Sequence, residues 1–131
     1  MAVDLYSNIT VTNAISPVSP AATGTITGVV IDTSTYRSNT FIYNAGLQSA
    51  NVTAVTPVVL EGTTTSALTS VAAANLIGAE TSLGGVLTTG SVGKIGYIGK
   101  KRYVQIKLVV AGAATGVYSA TLLQGEPMKN P

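Results

Sequence analysis

The sequence predicts an all-β protein: a β-sandwich or jelly roll of seven or eight short, mostly antiparallel strands with little or no helix. Apolar and polar residues alternate with a period of two in several segments, and β-branched residues are abundant. Clusters of Gly, Pro, Asn, Ser and Thr separate these segments. A small barrel is the alternative architecture. The length of 131 residues suits one sandwich domain over residues 1–131, with the termini as extended arms.

The first predicted strand covers residues 8–15. Its alternation places Ile9, Val11 and Ile15 on one side of the strand, and Pro17 is expected to close it.

Three further strands are predicted at residues 25–32, 39–44 and 51–60. Pro57 limits part of the last one to an edge or bulge position, because proline cannot donate to a strand ladder. Asp32 is expected in a turn, with its carboxylate accepting a hydrogen bond from the backbone two residues on.

The middle of the chain gives weaker signals. Residues 71–78 contain an alanine run and are the only plausible helical turn, with Gly78 as its stop. Residues 79–93 are rich in Gly, Thr and Ser, which suits a long surface loop or a weak edge strand.

Two clear strands close the chain, one from Arg102 onward and one at residues 117–124. The core face of the first is expected to consist of Val104, Ile106, Leu108 and Val110. The second alternates Tyr118, Ala120 and Leu122 with Val117, Ser119, Thr121 and Leu123.

Composition limits the chemistry that is open to this protein. It has no cysteine and no histidine, which removes thiol chemistry, disulfides, the commonest general base and the commonest transition-metal ligand. The five carboxylates are far apart in sequence, and no spacing suggests a catalytic pair. We therefore expect no enzymatic activity and no cofactor.

Charge is unusually sparse, which points to a protein that works in an assembly. Only 9% of residues are charged while 46% are hydrophobic, and thirty are Ser or Thr. Hydroxyl side chains enter a protein interface at little desolvation cost, whereas Lys and Glu resist burial there.

Neither secretion by a cleaved signal nor membrane insertion is expected. The N-terminal segment has an acid where a secretory signal needs a basic start, and the longest apolar run, residues 108–114, is far too short to cross a bilayer.

Five of the seven basic residues fall within residues 94–107, a segment that contains no acid, whereas the rest of the chain is net acidic. These residues are Lys94, Lys100, Lys101, Arg102 and Lys107. Such a local field attracts an acidic partner more strongly than the net charge of +2 suggests.

This segment does not match a phosphate-binding loop, because its glycines recur every third position and no Ser or Thr follows the lysines. We interpret the glycines as bends or bulges between two strands. A nucleic-acid platform would use Tyr97 and Tyr103 to stack bases, but the rest of the chain lacks a basic face. Half-burial of both rings in the sheet is the preferred interpretation.

Several strings together resemble a family of small tailed-bacteriophage structural proteins, namely the capsid decoration, or cement, proteins. The strings are residues 4–9, 25–32, 75–78, 95–104 and 122–127, of which Gly-Tyr-Ile-Gly-Lys-Lys-Arg-Tyr-Val at 96–104 is the most specific. The chain departs from the family pattern at residues 60–63, where only Glu61 remains of an acidic turn, and at Gln105, where an arginine is common.

The resemblance implies a β-sandwich or jelly-roll protein on the outer capsid surface of a virion, synthesised in the host cytoplasm. Its partners would be the major capsid protein and further copies of itself, as a homodimer or homotrimer, with no nucleic acid and no membrane. Lys100, Lys101 and Arg102 are the candidate contacts to acidic capsid surface. A tail or head-completion component and a carbohydrate or host-surface binding module are the alternatives.

Overall fold

The computed structural model describes residues 9–18, 24–48, 52–78, 91–112 and 116–127, which form an all-β sandwich of two antiparallel sheets. The strands are β1 (Ile9–Val18), β2 (Gly24–Thr27), β3 (Ile31–Asp32), β4 (Tyr36–Gln48), β5 (Val52–Gly62), β6 (Thr69–Ser70), β7 (Leu76–Ile77), β8 (Ser91–Tyr97), β9 (Tyr103–Gly112) and β10 (Gly116–Pro127). Because β3, β6 and β7 have two residues each, seven longer strands carry the fold. The predicted fold class is confirmed.

Sheet A has the strand order β1-β10-β4-β8-β7, and sheet B has the order β2-β9-β5-β6. β3 also pairs with β9, along the same edge as β2. Counting β2 and β3 as one interrupted strand and leaving out the short β7 gives eight strands. Renumbered 1 to 8 along the chain, they have the order 1-8-3-6 in sheet A and 2-7-4-5 in sheet B. This is the strand order of a jelly roll.

The core lies between the sheets and is filled by alternate residues of the long strands. All four residues predicted for the core face of β9, from Val104 to Val110, are buried. Large side chains that sheet A contributes to the same core cluster include Phe41, Tyr43, Ile95, Tyr118 and Leu122.

The prediction for β1 is wrong in two respects. The strand continues through Pro17, because β1 lies at the edge of sheet A, where a missing backbone donor is tolerated. Val11 and Ile15 also do not share a face, since Val11 is 63% exposed and Ile15 is buried. A register shift between Asn13 and Ile15 against β10 reverses the alternation at this point.

The strand predicted at residues 25–32 is interrupted at Gly28. The Gly28 N–H donates to the Ile106 carbonyl of β9, but the next N–H, from Val29, donates to the Ala14 carbonyl of β1, both at 2.9 Å. A Cβ at Gly28 would lie 2.7 Å from both carbonyl oxygens. The segment therefore bridges the two sheets at one edge of the sandwich.

The next two strands are longer than predicted: 36–48 rather than 39–44, and 52–62 rather than 51–60. At Pro57, β5 pairs with β9 on one side, whereas the β6 ladder on the other side involves only Leu60 and Glu61. Pro57 thus occupies the edge-like position that its missing donor requires.

The predicted helical turn is a single 3-10 turn, Ala73–Asn75, after which the chain enters β7. Gly78 follows with φ of +94°, a conformation that favours glycine. Residues 79–90 of the predicted loop lie outside the described residues, but residues 91–97 form β8, which pairs with β4 and β7.

Two of the glycines predicted as bends lie within β8. A Cβ at Gly93 would come within 2.5 Å of the Tyr43 ring, so this glycine makes room for a buried aromatic side chain. Gly96 lies on the outer face of sheet A but is buried beneath Ile77, its partner in β7. Only Gly99 lies in the connection between β8 and β9.

Candidate functional site

Three connections lie at the same end of the sandwich: β3–β4, β5–β6 and β8–β9. The strand register brings them together, because Tyr103 at the start of β9 pairs with Asp32 and with Gly62. The β8–β9 connection, residues 98–102, contains the predicted contact residues. We call the cations Arg37, Lys100, Lys101 and Arg102, together with the cavity that they line, the basic end.

The backbone of the β8–β9 connection is held by hydrogen bonds from both sides. The Thr33 N–H and the Thr33 hydroxyl both donate to the Arg102 carbonyl at 2.8 Å. At the start of the connection, the Ile98 N–H donates to the Asn75 carbonyl at 2.9 Å. These contacts fix the loop, so the lysines between them project from a defined backbone.

Tyr97 supports the β8–β9 connection from the interior of the sandwich. Its hydroxyl accepts a hydrogen bond from the Lys101 N–H at 3.0 Å and donates to Glu61 Oε1 at 3.4 Å. The ring is only 3% exposed, and this burial raises the pKa of the Tyr97 phenol. Tyr97 is therefore more deeply buried than the half-buried ring that the sequence predicts.

Arg102 is engaged within the protein. Its guanidinium binds the Asp32 carboxylate through two hydrogen bonds, Nε to Oδ1 at 3.1 Å and Nη2 to Oδ2 at 2.8 Å. It also lies over the Tyr103 ring, 5.2 Å from the centroid. Asp32 Oδ1 accepts from the Ser34 N–H at 2.9 Å, as the sequence predicts. The Arg102 hydrogen bonds hold the pKa of the Asp32 carboxyl well below its usual range.

Lys100 and Lys101 are different, because both are exposed and neither ammonium has a partner among the described residues. The same holds for Arg37 at the start of β4, within the part of the chain that the structure describes. Of the three predicted contact residues, two therefore present uncommitted cations, whereas the third is neutralised by Asp32.

The fold separates the five cations that are clustered in the sequence. Lys94 lies on the outer face of sheet A, because its neighbour Ile95 points into the core. Lys107 lies on the outer face of sheet B, between the buried Ile106 and Leu108. Only Lys100, Lys101 and Arg102 remain together, at the end of the sandwich.

The basic end encloses an open cavity of about 490 Å³. Besides the cations, its lining includes Tyr36, Asn39 and Tyr97. Asn39 is buried, and its Oδ1 accepts a hydrogen bond from Gln124 Nε2 at 3.0 Å. The Tyr36 hydroxyl is hydrogen-bonded to the Thr10 hydroxyl. Polar side chains such as Asn39 thus form the floor of the cavity, and the exposed cations form its rim.

Sequence reasoning missed Arg37 and Asn39 as members of this site. Arg37 lies more than sixty residues before Lys100, in a part of the sequence that is net acidic. The turn predicted at Asp32 is the sequence signal that could have indicated these residues, since it places the residues that follow it at the end of a strand. The pairing of Asn39 with Tyr97, which brings β4 beside β8, is visible only in the structure.

The outer face of sheet A forms a second surface of opposite character. Its exposed or half-exposed apolar side chains include Val11, Ile42, Ile77, Val92 and Leu123. Among the described residues, Lys94 is its one charged side chain. Lys94, Ile42, Ile77 and Leu123 contribute to a shallow groove of about 460 Å³.

Neither a metal centre nor a membrane-crossing helix is found in the described part of the chain. No three acidic side chains come together there as metal ligands, and no described helix is long and apolar enough to span a bilayer.

Comparison with known proteins adds no assignment, since no family model and no curated protein matches the chain.

Proposed function

We propose that this chain is a non-enzymatic structural protein that binds acidic protein surface through its basic end. The observation that carries the proposal is the pair Lys100 and Lys101, two exposed cations without a described partner on a loop fixed by hydrogen bonds. Preorganised cations at a rim speed association with an acidic partner and set its orientation.

The proposed partner is the major capsid protein of an icosahedral phage head, which the chain decorates from outside as a homodimer or homotrimer. The phage context rests on the sequence resemblance. The jelly-roll sandwich and the sparsely charged outer face of sheet A are compatible with repeated protein contacts. Binding only to the assembled shell would stabilise it by mass action.

A structural role is also supported by Asp32 and Glu61, the two carboxylates whose side chains the structure describes. Asp32 is neutralised by Arg102, and Glu61 is buried against the Tyr97 hydroxyl. Neither carboxylate lines the cavity of the basic end, where a general acid or base would have to lie.

The test is decoration of purified, undecorated heads by the Lys100→Glu/Lys101→Glu variant. We expect binding to be lost, because both reversed charges would face acidic surface. Lys94→Glu/Lys107→Glu is the matched control, with the same change in net charge placed on the two sheet faces. Folding and oligomeric mass are measured for both variants. Arg102 is left unchanged, because Arg102→Glu would place a second carboxylate beside Asp32.

Equal occupancy of heads by wild type and Lys100→Glu/Lys101→Glu at low salt would contradict the proposal. Loss of binding in both double variants would mean that general electrostatics, rather than the basic end, controls decoration.

A further inference from the structure

We propose that the cavity of the basic end receives a carboxylate-bearing side chain from an acidic segment of the partner protein. Asn39 would supply a neutral donor at its floor, and Arg37, Lys100 and Lys101 would supply the cationic rim. The inference rests on the proposed function, because it takes the basic end as the binding surface, but it adds a defined pocket and a positioning residue.

The orientation of Asn39 follows from its hydrogen bonds. The side chain is 93% buried, and its Oδ1 is occupied by the Gln124 amide at 3.0 Å. Gln124 is itself buried and also donates to the Asp32 carbonyl at 3.4 Å. These two hydrogen bonds fix the position of the Gln124 amide against Asn39. The Asn39 amide nitrogen therefore remains as a donor that no described residue uses, in a side chain that lines the cavity.

The Asn39 amide nitrogen is not itself fully buried, so it is open to the cavity, where water or a ligand can accept its hydrogen bond. A carboxylate is a suitable ligand, because each oxygen accepts more than one hydrogen bond and its charge complements the rim. Arg102 is not expected to bind this group, since Asp32 already occupies its guanidinium.

The geometry favours a protein segment over a nucleic acid. Single-strand binding needs an exposed aromatic platform and a charged track along the backbone. Here the Tyr97 ring is buried, the half-buried Tyr36 is hydrogen-bonded to Thr10, and the cations surround one cavity rather than a groove. A volume of about 490 Å³ suits a few side chains of a loop.

The direct test follows the side-chain amide signals of ¹⁵N-labelled protein by NMR during titration with tetraglutamate. Tetraglutamine and an eight-residue oligothymidylate serve as the neutral and nucleic-acid probes. We expect tetraglutamate to shift the Asn39 side-chain amide in a saturable way and to leave the exposed Asn44 amide unchanged. Because this measurement uses the wild-type protein, it does not depend on whether a variant folds.

The second arm compares Asn39→Asp with Asn44→Asp. Both substitutions make the same chemical change, and both preserve an acceptor, for Gln124 in the first case and for the Ser119 hydroxyl in the second. We expect Asn39→Asp to weaken tetraglutamate binding roughly tenfold or more, because it replaces a donor to the ligand by a like charge. Asn44→Asp is expected to bind as the wild type does.

Three outcomes would overturn the inference: an unshifted Asn39 amide, equal affinity of the two Asn→Asp variants, or tighter binding of oligothymidylate than of tetraglutamate. If Lys100→Glu/Lys101→Glu still prevents decoration of heads while Asn39→Asp decorates normally, the pocket is wrong but the proposed function stands. If Lys100→Glu/Lys101→Glu decorates normally, the proposed function fails whatever the peptide does.

Discussion

The basic end and the outer face of sheet A use the same sandwich in opposite ways. At the basic end, the Thr33 hydroxyl donates a hydrogen bond to the loop, and the Tyr97 hydroxyl and the Asp32 carboxylate accept hydrogen bonds from it. These bonds determine the course of the loop, and exposed cations project from it. On the outer face of sheet A, the strand ladders set the geometry, with a side-chain hydrogen bond from Ser119 to Asn44, and the exposed side chains are mostly apolar or hydroxyl-bearing. The charged and hydrogen-bonding side chains are thus concentrated where the strands end, whereas the sheet face between the ends is a broad surface with little charge.

A first contrast between the two regions is their tolerance of a single added methyl group. Gly99→Ala at the basic end would place a Cβ 2.5 Å from the Tyr97 hydroxyl, whereas Gly96→Ala on the outer face would place one 3.1 Å from the exposed Ile77. We expect Gly99→Ala to lower the free energy of unfolding by about 1–3 kcal/mol, because the buried ring must move. Gly96→Ala should have a smaller effect, because only the exposed Ile77 has to move by a few tenths of an ångström. Urea unfolding measures both, and equal effects would contradict the contrast.

The Tyr97 hydroxyl gives the next prediction. Tyr97→Phe removes the acceptor of the Lys101 N–H and the donor to the buried Glu61. We expect the free energy of unfolding to fall by about 1–2 kcal/mol. Tyr103→Phe is the control, because its ring still lies beside Arg102 and its hydroxyl has no hydrogen bond within the described part of the chain. If the two variants were equally stable, the hydroxyl network would have no role in fixing the loop.

The Asp32–Arg102 pair predicts a smaller, pH-dependent effect. The folded-state pKa of Asp32 lies below the ordinary value of 3.8, so its contribution to stability is present above that value and is lost as the pH falls through the folded-state pKa. The stability difference between wild type and Asp32→Asn should therefore shrink between about pH 5 and about pH 2. Because the pair is exposed, the effect is modest and decreases with salt. A difference that grows on acidification would have the wrong sign.

The weakest effects are expected on the outer face of sheet A. Val11→Thr and Val92→Thr each replace an exposed apolar side chain by a β-branched residue that is equally suited to a strand. We expect changes in the free energy of unfolding within about 0.5 kcal/mol, measured by urea unfolding at low protein concentration. A loss of several kcal/mol would show that these side chains are buried in an assembly rather than exposed on a face.

The sequence was most informative where alternation continues without interruption. The core face of β9 follows directly from its period-two pattern, because antiparallel pairing keeps one face of the strand buried over its whole length. For β10 the sequence predicts the alternation, and the structure shows that the set with Tyr118, Ala120 and Leu122 is the buried one. The Asp32 turn was also predictable, since its hydrogen bond spans only two residues.

The errors arise where distant contacts override local pattern. The bulge after Asn13 exposes Val11, and the hydrogen bond from Val29 to Ala14 interrupts the second predicted strand. Likewise, the role of Gly93 depends on the Tyr43 ring, fifty residues away in sequence. No local propensity encodes these contacts.

The site was predictable only in part for the same reason. Lys100 and Lys101 are recognisable as a dense local charge, but the neutralisation of Arg102 depends on Asp32, seventy residues earlier. The addition of Arg37 and Asn39 depends on the pairing of β4 with β8. Charge clusters in sequence therefore identify a candidate segment, and strand register decides which of its members act together.

The most direct test of the account is a cryo-electron microscopy reconstruction of heads that carry this protein, at a resolution that orients the sandwich. The account predicts copies distributed over the capsid lattice, with density joining the loop at residues 98–102 to acidic residues of shell subunits. Attachment of the sandwich to the shell through the outer face of sheet A, with Lys100 and Lys101 facing solvent, would contradict it. So would density confined to the tail.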